Sequence, residues 1–212
     1  MAGGYHSITL AYWIQSMEMQ DFYLVGLGAS AGGHQSLREF FENMPDQPGM
    51  SFVVTHLRRD HISILDQIIS RYTRMAVVRM KGGDVIRVNH VYVMLENAQA
   101  EVKDGILVLK PRGVGDRLHK PIDIFFHSLA RDRREKAVGI VFSGMGSDGF
   151  EGVQAIHENG GTVLVQDPRS TEFSSMPETI VKRDNPDVIL PPAQLARELM
   201  LMLSERQSVE NQ

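Results

Sequence analysis

Apolar runs rich in Val, Ile and Leu alternate with helix-patterned segments along most of this chain, and that alternation leaves few folds open. A strand that is apolar almost throughout is buried on both faces, as in a parallel sheet covered by helices on either side. Strands are predicted at residues 22–27, 51–56, 76–80, 90–95, 100–103, 106–110, 137–142, 162–166 and 188–190. Helices are predicted at residues 35–43, 62–72, 121–131, 152–159, 176–183 and 192–205. The expected fold class is therefore α/β: a doubly wound, mostly parallel sheet with helices on both faces and a small antiparallel insert. The insert is expected at residues 75–110, where Asp104-Gly105 is a hairpin turn signal. Residues 1–20 read as an N-terminal extension, with Met17 and Met19 as alternative starts. Residues 21–203 read as one domain, and residues 204–212 as a polar, frayed tail.

Bulk properties remove several function classes. A length of 212 residues suits one domain with a sizeable core. A formal charge of -4 argues against a nucleic-acid binder, which carries a basic excess. With 0 cysteines there is no disulfide framework, thiolate metal site or cysteine nucleophile, which fits a reducing compartment such as the cytoplasm. No apolar run approaches the roughly 20 residues of a membrane span, so no membrane insertion is expected. The histidines other than His56 show no metal-ligand spacing, and neither a metal nor a cofactor is expected.

In a sheet of this kind ligands bind beyond the carboxyl ends of the strands. Ser30 follows the first strand in the turn Gly28-Ala29-Ser30-Ala31-Gly32-Gly33. His56 closes the second strand. Asp148 lies in the glycine-dense loop Ser143-Gly144-Met145-Gly146-Ser147-Asp148-Gly149. A serine, a histidine and an aspartate at strand ends are the parts of a nucleophile–base–orienter relay. Gly28-x-Ser30-x-Gly32 matches a nucleophile elbow, and Gly26-x-Gly28-x-x-Ala31 partly matches a dinucleotide fingerprint. The dinucleotide reading wants an acid at the end of the second strand, where His56 stands. A plain glycine turn with a solvated serine is the third alternative.

Other residues have plainer readings. Asp148 itself has the alternative of a cap for the helix at 152–159. Asp123 reads as a first-turn helix acid. His119 reads as a surface residue before that helix. Arg131, Arg133 and Arg134 with Asp132 and Glu135 read as a solvated helix end.

Five motifs in this order give the chain a family resemblance. They are the Ser30 turn, Thr55-His56-Leu57, Pro121-Ile122-Asp123, the Asp148 loop and Met176-Pro177. Together they resemble the catalytic domain of chemotaxis-receptor methylesterases (CheB) over residues 22–196. Asp123-Ile124-Phe125-Phe126 and Val165-Gln166-Asp167-Pro168 resemble most the subgroup fused to a receptor methyltransferase.

The resemblance implies a serine hydrolase that demethylates glutamate methyl esters on the cytoplasmic helices of chemoreceptors, releasing methanol. In some members it also implies glutamine deamidation. It maps Ser30 to the nucleophile, His56 to the base, Asp148 to the orienting acid and Met145 to the methionine beside the triad. Backbone amides of Ala31 or Gly32, with a neighbour in the 144–146 loop, are expected to hold the oxyanion. The alternatives are a catalytically silent receptor-docking module and a nucleotide-binding domain.

Three departures stand out. Residues 1–20 leave no room for the receiver domain that precedes this domain in many members, so separate receiver or methyltransferase proteins are the expected regulatory partners. Ala31 replaces a common threonine. Met94-Leu95-Glu96-Asn97 replaces a proline-containing motif at the expected substrate rim.

Overall fold

The computed structural model describes residues 22–56, 64–95, 98–111 and 120–210. The N-terminal extension, His61, His119, the first residues of the predicted helix at 62–72, and Glu96-Asn97 lie outside the described residues. Seven parallel strands form the main sheet. They are β1 (Leu24–Ala29), β2 (Ser51–His56), β3 (Ala76–Arg79), β5 (His90–Val93), β8 (Ala137–Val141), β9 (Thr162–Gln166) and β10 (Val188–Leu190), in the spatial order β10-β9-β8-β1-β2-β5-β3. The remaining strands, β4 (Asp84–Val85), β6 (Ala98–Lys103) and β7 (Ile106–Pro111), form a small antiparallel sheet in the order β4-β7-β6.

The predicted insert is thus too broad. Ala76–Arg79 and His90–Val93 pair with each other and extend the main sheet in parallel. Only β4 and the Asp104-Gly105 hairpin leave it. Short apolar strands show their burial in the sequence but not their partner, which tertiary packing selects.

Six helices cover the sheet among the described residues: α1 (Gly33–Glu42), α2 (Leu65–Ile69), α3 (Pro121–Arg133), α4 (Phe150–Glu158), α5 (Ser175–Arg183) and α6 (Pro192–Glu210). Side chains of a strand alternate between faces, so β1 serves two cores. Val25, Leu27 and Ala29 join Leu37, Phe40 and Phe41 of α1, Ile69 of α2 and Leu199 of α6. Four phenylalanines (Phe40, Phe41, Phe52 and Phe142) pack edge to face on this side, with ring centroids 5.4–5.9 Å apart. Leu24, on the opposite face, joins Phe125, Phe126 and Leu129 of α3, Val153 of α4 and Ile180 of α5. Helix α6 continues to Glu210, beyond the position where a frayed tail was expected.

The α3 face of β1 carries glycines, and they have a packing reason. A Cβ at Gly26 would meet the Phe126 ring at 2.7 Å, and one at Gly28 would meet Ile122 at 2.7 Å. Gly139 of β8 and Gly152 of α4 also abut Phe126. The Gly26-x-Gly28 pair that partly matched a dinucleotide fingerprint is therefore the seat of α3.

Phe126 fills a space bounded by residues without side chains, which cannot move in to replace it. Phe126→Ala is expected to destabilise the domain by about 3–5 kcal/mol, in the upper range for a large-to-small core change. The shift in the urea unfolding midpoint checks this.

The solvated helix end is as expected at Arg131, Arg134 and Glu135, which are exposed, but Arg133 departs from it. Arg133 is buried, pairs with Asp132 at 3.1 Å and places its guanidinium 5.4 Å from the Phe22 ring centroid. Its long stem and planar head pack against the core while Asp132 balances the charge. Burial pulls its pKa below the ordinary arginine value.

Candidate functional site

From β1 the chain runs by β2 to the edge strand β3 and returns to β5 between them, and from β8 it runs through β9 and β10 towards the other edge. The carboxyl ends of β1 and β8 therefore flank the crevice at the switch point where ligands bind in open α/β sheets. Ser30 stands at this crevice. Its N–H donates to the Ser143 carbonyl at 3.0 Å, just past β8, and its own carbonyl accepts from Gly33 N–H at 3.0 Å. The turn then enters α1 through Gly32, whose φ of +74° favours glycine. A Cβ at Gly32 would also lie 2.6 Å from Ser143 Oγ. Two constraints thus select glycine two residues after Ser30, and α1 directs its N-terminal end at the turn.

His56 ends β2 directly beside this turn, its backbone in register with Ala29 and one residue before Ser30. The backbone of His56 is described; its side chain lies outside the described residues. Thr55 before it is buried and donates its hydroxyl to the Leu27 carbonyl at 3.1 Å, tying the end of β2 to β1.

Asp148 is buried, and both its carboxylate oxygens face the start of α3. Oδ2 accepts from Ile122 N–H at 3.2 Å and Oδ1 from Asp123 N–H at 3.0 Å. Asp123 returns the arrangement, its Oδ1 accepting from Gly152 N–H in α4 at 2.7 Å. Asp148 thus caps α3, the helix that contains Asp123, and Asp123 accepts from the first turn of α4, the helix that follows Asp148. Asp123 is accordingly a buried brace between two helices as well as a first-turn acid. It also pairs with Lys120 at 3.1 Å.

Burial pushes the Asp148 carboxyl up to about 6, against the opposing pull of backbone N–H groups from Asp123, Ile122 and Gly149. A carboxylate offers about four lone-pair sites. Three backbone donors leave one for a further partner.

The glycine-dense loop is pinned to the start of α5. Gly144 N–H donates to the Phe173 carbonyl at 2.9 Å, and its carbonyl accepts from Met176 N–H at 3.0 Å. Gly146 N–H donates to Ser175 Oγ at 2.9 Å. A Cβ on Gly144 would lie 2.3 Å from Met176 Sδ and 3.0 Å from Ser30 Cβ, so close approach to Ser30 requires glycine there. Between these anchors Met145 turns its side chain outward, 63% exposed. The Gly144 and Gly146 amides are engaged. Among the described residues, those of Ala31, Gly32 and Met145 make no hydrogen bond.

Next to the turn a cavity of about 250 Å³ opens between Gln35 and Glu39 on one side and Glu172 and Phe173 on the other. No group of three or more His, Asp or Glu side chains among the described residues is arranged to hold a metal ion.

Two residues of the site stand in the sequence only as members of motifs, with no role of their own legible there. Ser143 hydrogen bonds to the turn from the end of β8, and Gln166 supports Ser143 from the end of β9. A polar residue closing a fully buried strand was the available signal.

The frame is a doubly wound α/β domain with a serine on a strand–turn–helix elbow at its switch-point crevice. The chain belongs to the CheB methylesterase family, whose model matches residues 25–199. It is similar to a protein-glutamate methylesterase/protein-glutamine glutaminase of Rhizobium johnstonii, with 32% identity over 84% of this chain and 50% of the relative. A probable protein-glutamate methylesterase of Borreliella burgdorferi is 25% identical over 90% of this chain and 52% of that protein. The chain thus spans about half the length of these curated relatives. The fold matches that of the Thermotoga maritima CheB methylesterase catalytic domain with a TM-score of 0.77 at 20% identity, over 86% of this chain and 99% of that one.

Proposed function

We propose that this domain is a serine esterase that hydrolyses glutamate methyl esters on chemoreceptors and releases methanol. The same chemistry on glutamine would release ammonia, in line with the double name of the Rhizobium relative. The observation that carries the reading is the meeting of three strand ends at one crevice. Ser30 follows β1, the His56 backbone lies beside it on β2, and the Asp148 loop follows β8.

In this mechanism Ser30 Oγ attacks the ester carbonyl while His56 takes the hydroxyl proton. Asp148 offers its remaining lone pair to the imidazole N–H and stabilises the imidazolium. The tetrahedral oxyanion accepts hydrogen bonds from the free amides of Ala31 or Gly32 and of Met145. Each such donor typically contributes about 3–4 kcal/mol to barrier lowering. His56 returns the proton to the departing methoxide, which leaves as methanol. Water then attacks the glutamyl-serine ester, with His56 again as base, and frees the glutamate carboxylate and Ser30. Met145 forms an apolar rim at the crevice mouth.

Chemoreceptor cytoplasmic helices are the expected partners. Receiver and methyltransferase proteins are the expected regulatory partners, and the cytoplasm is the expected location. Among the described residues no helix is long and apolar enough to cross a membrane.

The test is methanol release from methyl-esterified receptor by the purified chain. Release that is catalytic in enzyme supports the esterase. Receptor binding without methanol contradicts it and favours a docking module. Thermal stabilisation by a dinucleotide without methanol favours a nucleotide domain.

A further inference from the structure

Gln166 closes β9, nearly without solvent contact, and three of its four hydrogen-bonding positions reach other elements. Its Oε1 accepts from Ser143 N–H at 2.8 Å and from the Ser36 hydroxyl of α1 at 2.8 Å. Its Nε2 donates to Ser170 Oγ at 3.0 Å. A backbone N–H only donates, so the atom facing Ser143 is the amide oxygen and the orientation of the amide is fixed.

Ser143 passes the constraint to the elbow by two routes. Its carbonyl accepts the Ser30 N–H at 3.0 Å, and its hydroxyl donates to the Ala31 carbonyl at 2.7 Å. The Ser143 hydroxyl is steadied in turn by Thr171 Oγ1 at 2.7 Å. The nucleophile turn is therefore held across two strands by one buried amide.

We propose that Gln166 is a positioning residue for Ser30, acting through Ser143 to fix the turn that presents the hydroxyl; this rests on the reading of Ser30 as the nucleophile. Without the amide, the Ser143 N–H is buried with no acceptor, and the turn relaxes to satisfy it. Catalytic geometry is sensitive to such movement, since a displacement of about 1 Å lowers rates by about 10²-fold.

The test follows the rate of covalent labelling by a small fluorophosphonate, read by intact mass on the folded chain, together with kcat and KM for methanol release. Gln166→Met, similar in length and unable to accept from Ser143, is expected to slow labelling and kcat by about 10- to 100-fold with little change in KM. Ser36→Ala removes the other donor to the same oxygen and is expected to label at the wild-type rate. Gln166→Glu keeps an oxygen facing Ser143 and is expected to recover most of the lost rate.

Wild-type labelling by Gln166→Met overturns the proposal. So does an equal loss in Ser36→Ala, or a Gln166→Glu variant no faster than Gln166→Met. Should Gln166→Met not fold, Gln166→Asn serves instead. Its amide is one methylene too short to keep the contact with Ser143 N–H, and labelling slower than wild type supports the proposal while an unchanged rate overturns it. A wild-type chain that takes no label overturns the Ser30 assignment itself, which separates that failure from a labelled wild type with unaffected variants.

Discussion

Ser30→Ala is expected to reduce methanol release by at least about 10⁴-fold while leaving the fold intact. The hydroxyl is the only protein group in the proposed mechanism that bonds to the ester carbon. Its loss removes the acyl-enzyme route, leaving the oxyanion donors and binding alone, which in serine hydrolases retain about 10³–10⁴-fold over water. Alanine keeps the backbone bonds of the turn, from Ser30 N–H to Ser143 and from Gly33 N–H to the Ser30 carbonyl. An unfolding midpoint close to wild type, measured beside the methanol assay, separates loss of chemistry from loss of structure. Retention of more than a tenth of the wild-type kcat would remove Ser30 from the role.

Asp148→Asn carries the second large effect: it lowers activity, and its stability relative to wild type changes with pH. Replacing the orienting acid of a serine triad lowers kcat by about 10⁴-fold, because the imidazole loses its tautomer and the imidazolium its counter-charge. The wild-type enzyme is expected to lose activity as pH falls through about 6, where the buried Asp148 carboxylate takes up a proton.

The stability sign is reversed. The folded chain holds this proton up to about pH 6, whereas an unfolded aspartate releases it near 3.8. Folding is thus favoured below the unfolded value, and that contribution is lost as pH rises to about 6. A carboxyl raised from 3.8 to about 6 is worth about 3 kcal/mol. Asparagine does not titrate. The stability of Asp148→Asn relative to wild type is therefore expected to rise by up to about 3 kcal/mol between pH 4 and pH 7. Urea unfolding of both proteins at the two pH values measures it. A difference that is flat with pH would mean that Asp148 is not the buried, raised carboxyl described above.

Much of this architecture is written in the chain because the central strands are buried on both faces. The runs at β1 and β8 are apolar nearly throughout, those at β2 and β9 have an apolar centre, and each precedes a helical pattern. The parallel sheet follows from that. Pairing choice was less visible. Ala76–Arg79 and His90–Val93 look the same whether they join the main sheet or a hairpin, and the two-residue β4 carries no periodicity.

The site shows the same division. Ser30, His56 and Asp148 are visible because glycine turns and strand ends mark where polar side chains reach a crevice. The support behind them depends on contacts between residues distant in sequence. Gln166 meets Ser36 across 130 positions, and Asp148 caps a helix that begins 27 residues before it. Arg133 reads as surface until Phe22 is placed beneath its guanidinium. Gly26 and Gly28 suggested a phosphate loop until α3 was laid on them.

Everything proposed for this site depends on the Ser30 hydroxyl performing the ester chemistry. The most direct measurement titrates the chain with a fluorophosphonate, maps the adduct by peptide mass and follows methanol release in the same samples. One adduct per chain is expected, on Ser30, with activity falling in proportion to its formation. Methanol release that persists with Ser30 fully modified, or inactivation that tracks an adduct on another residue, would contradict it.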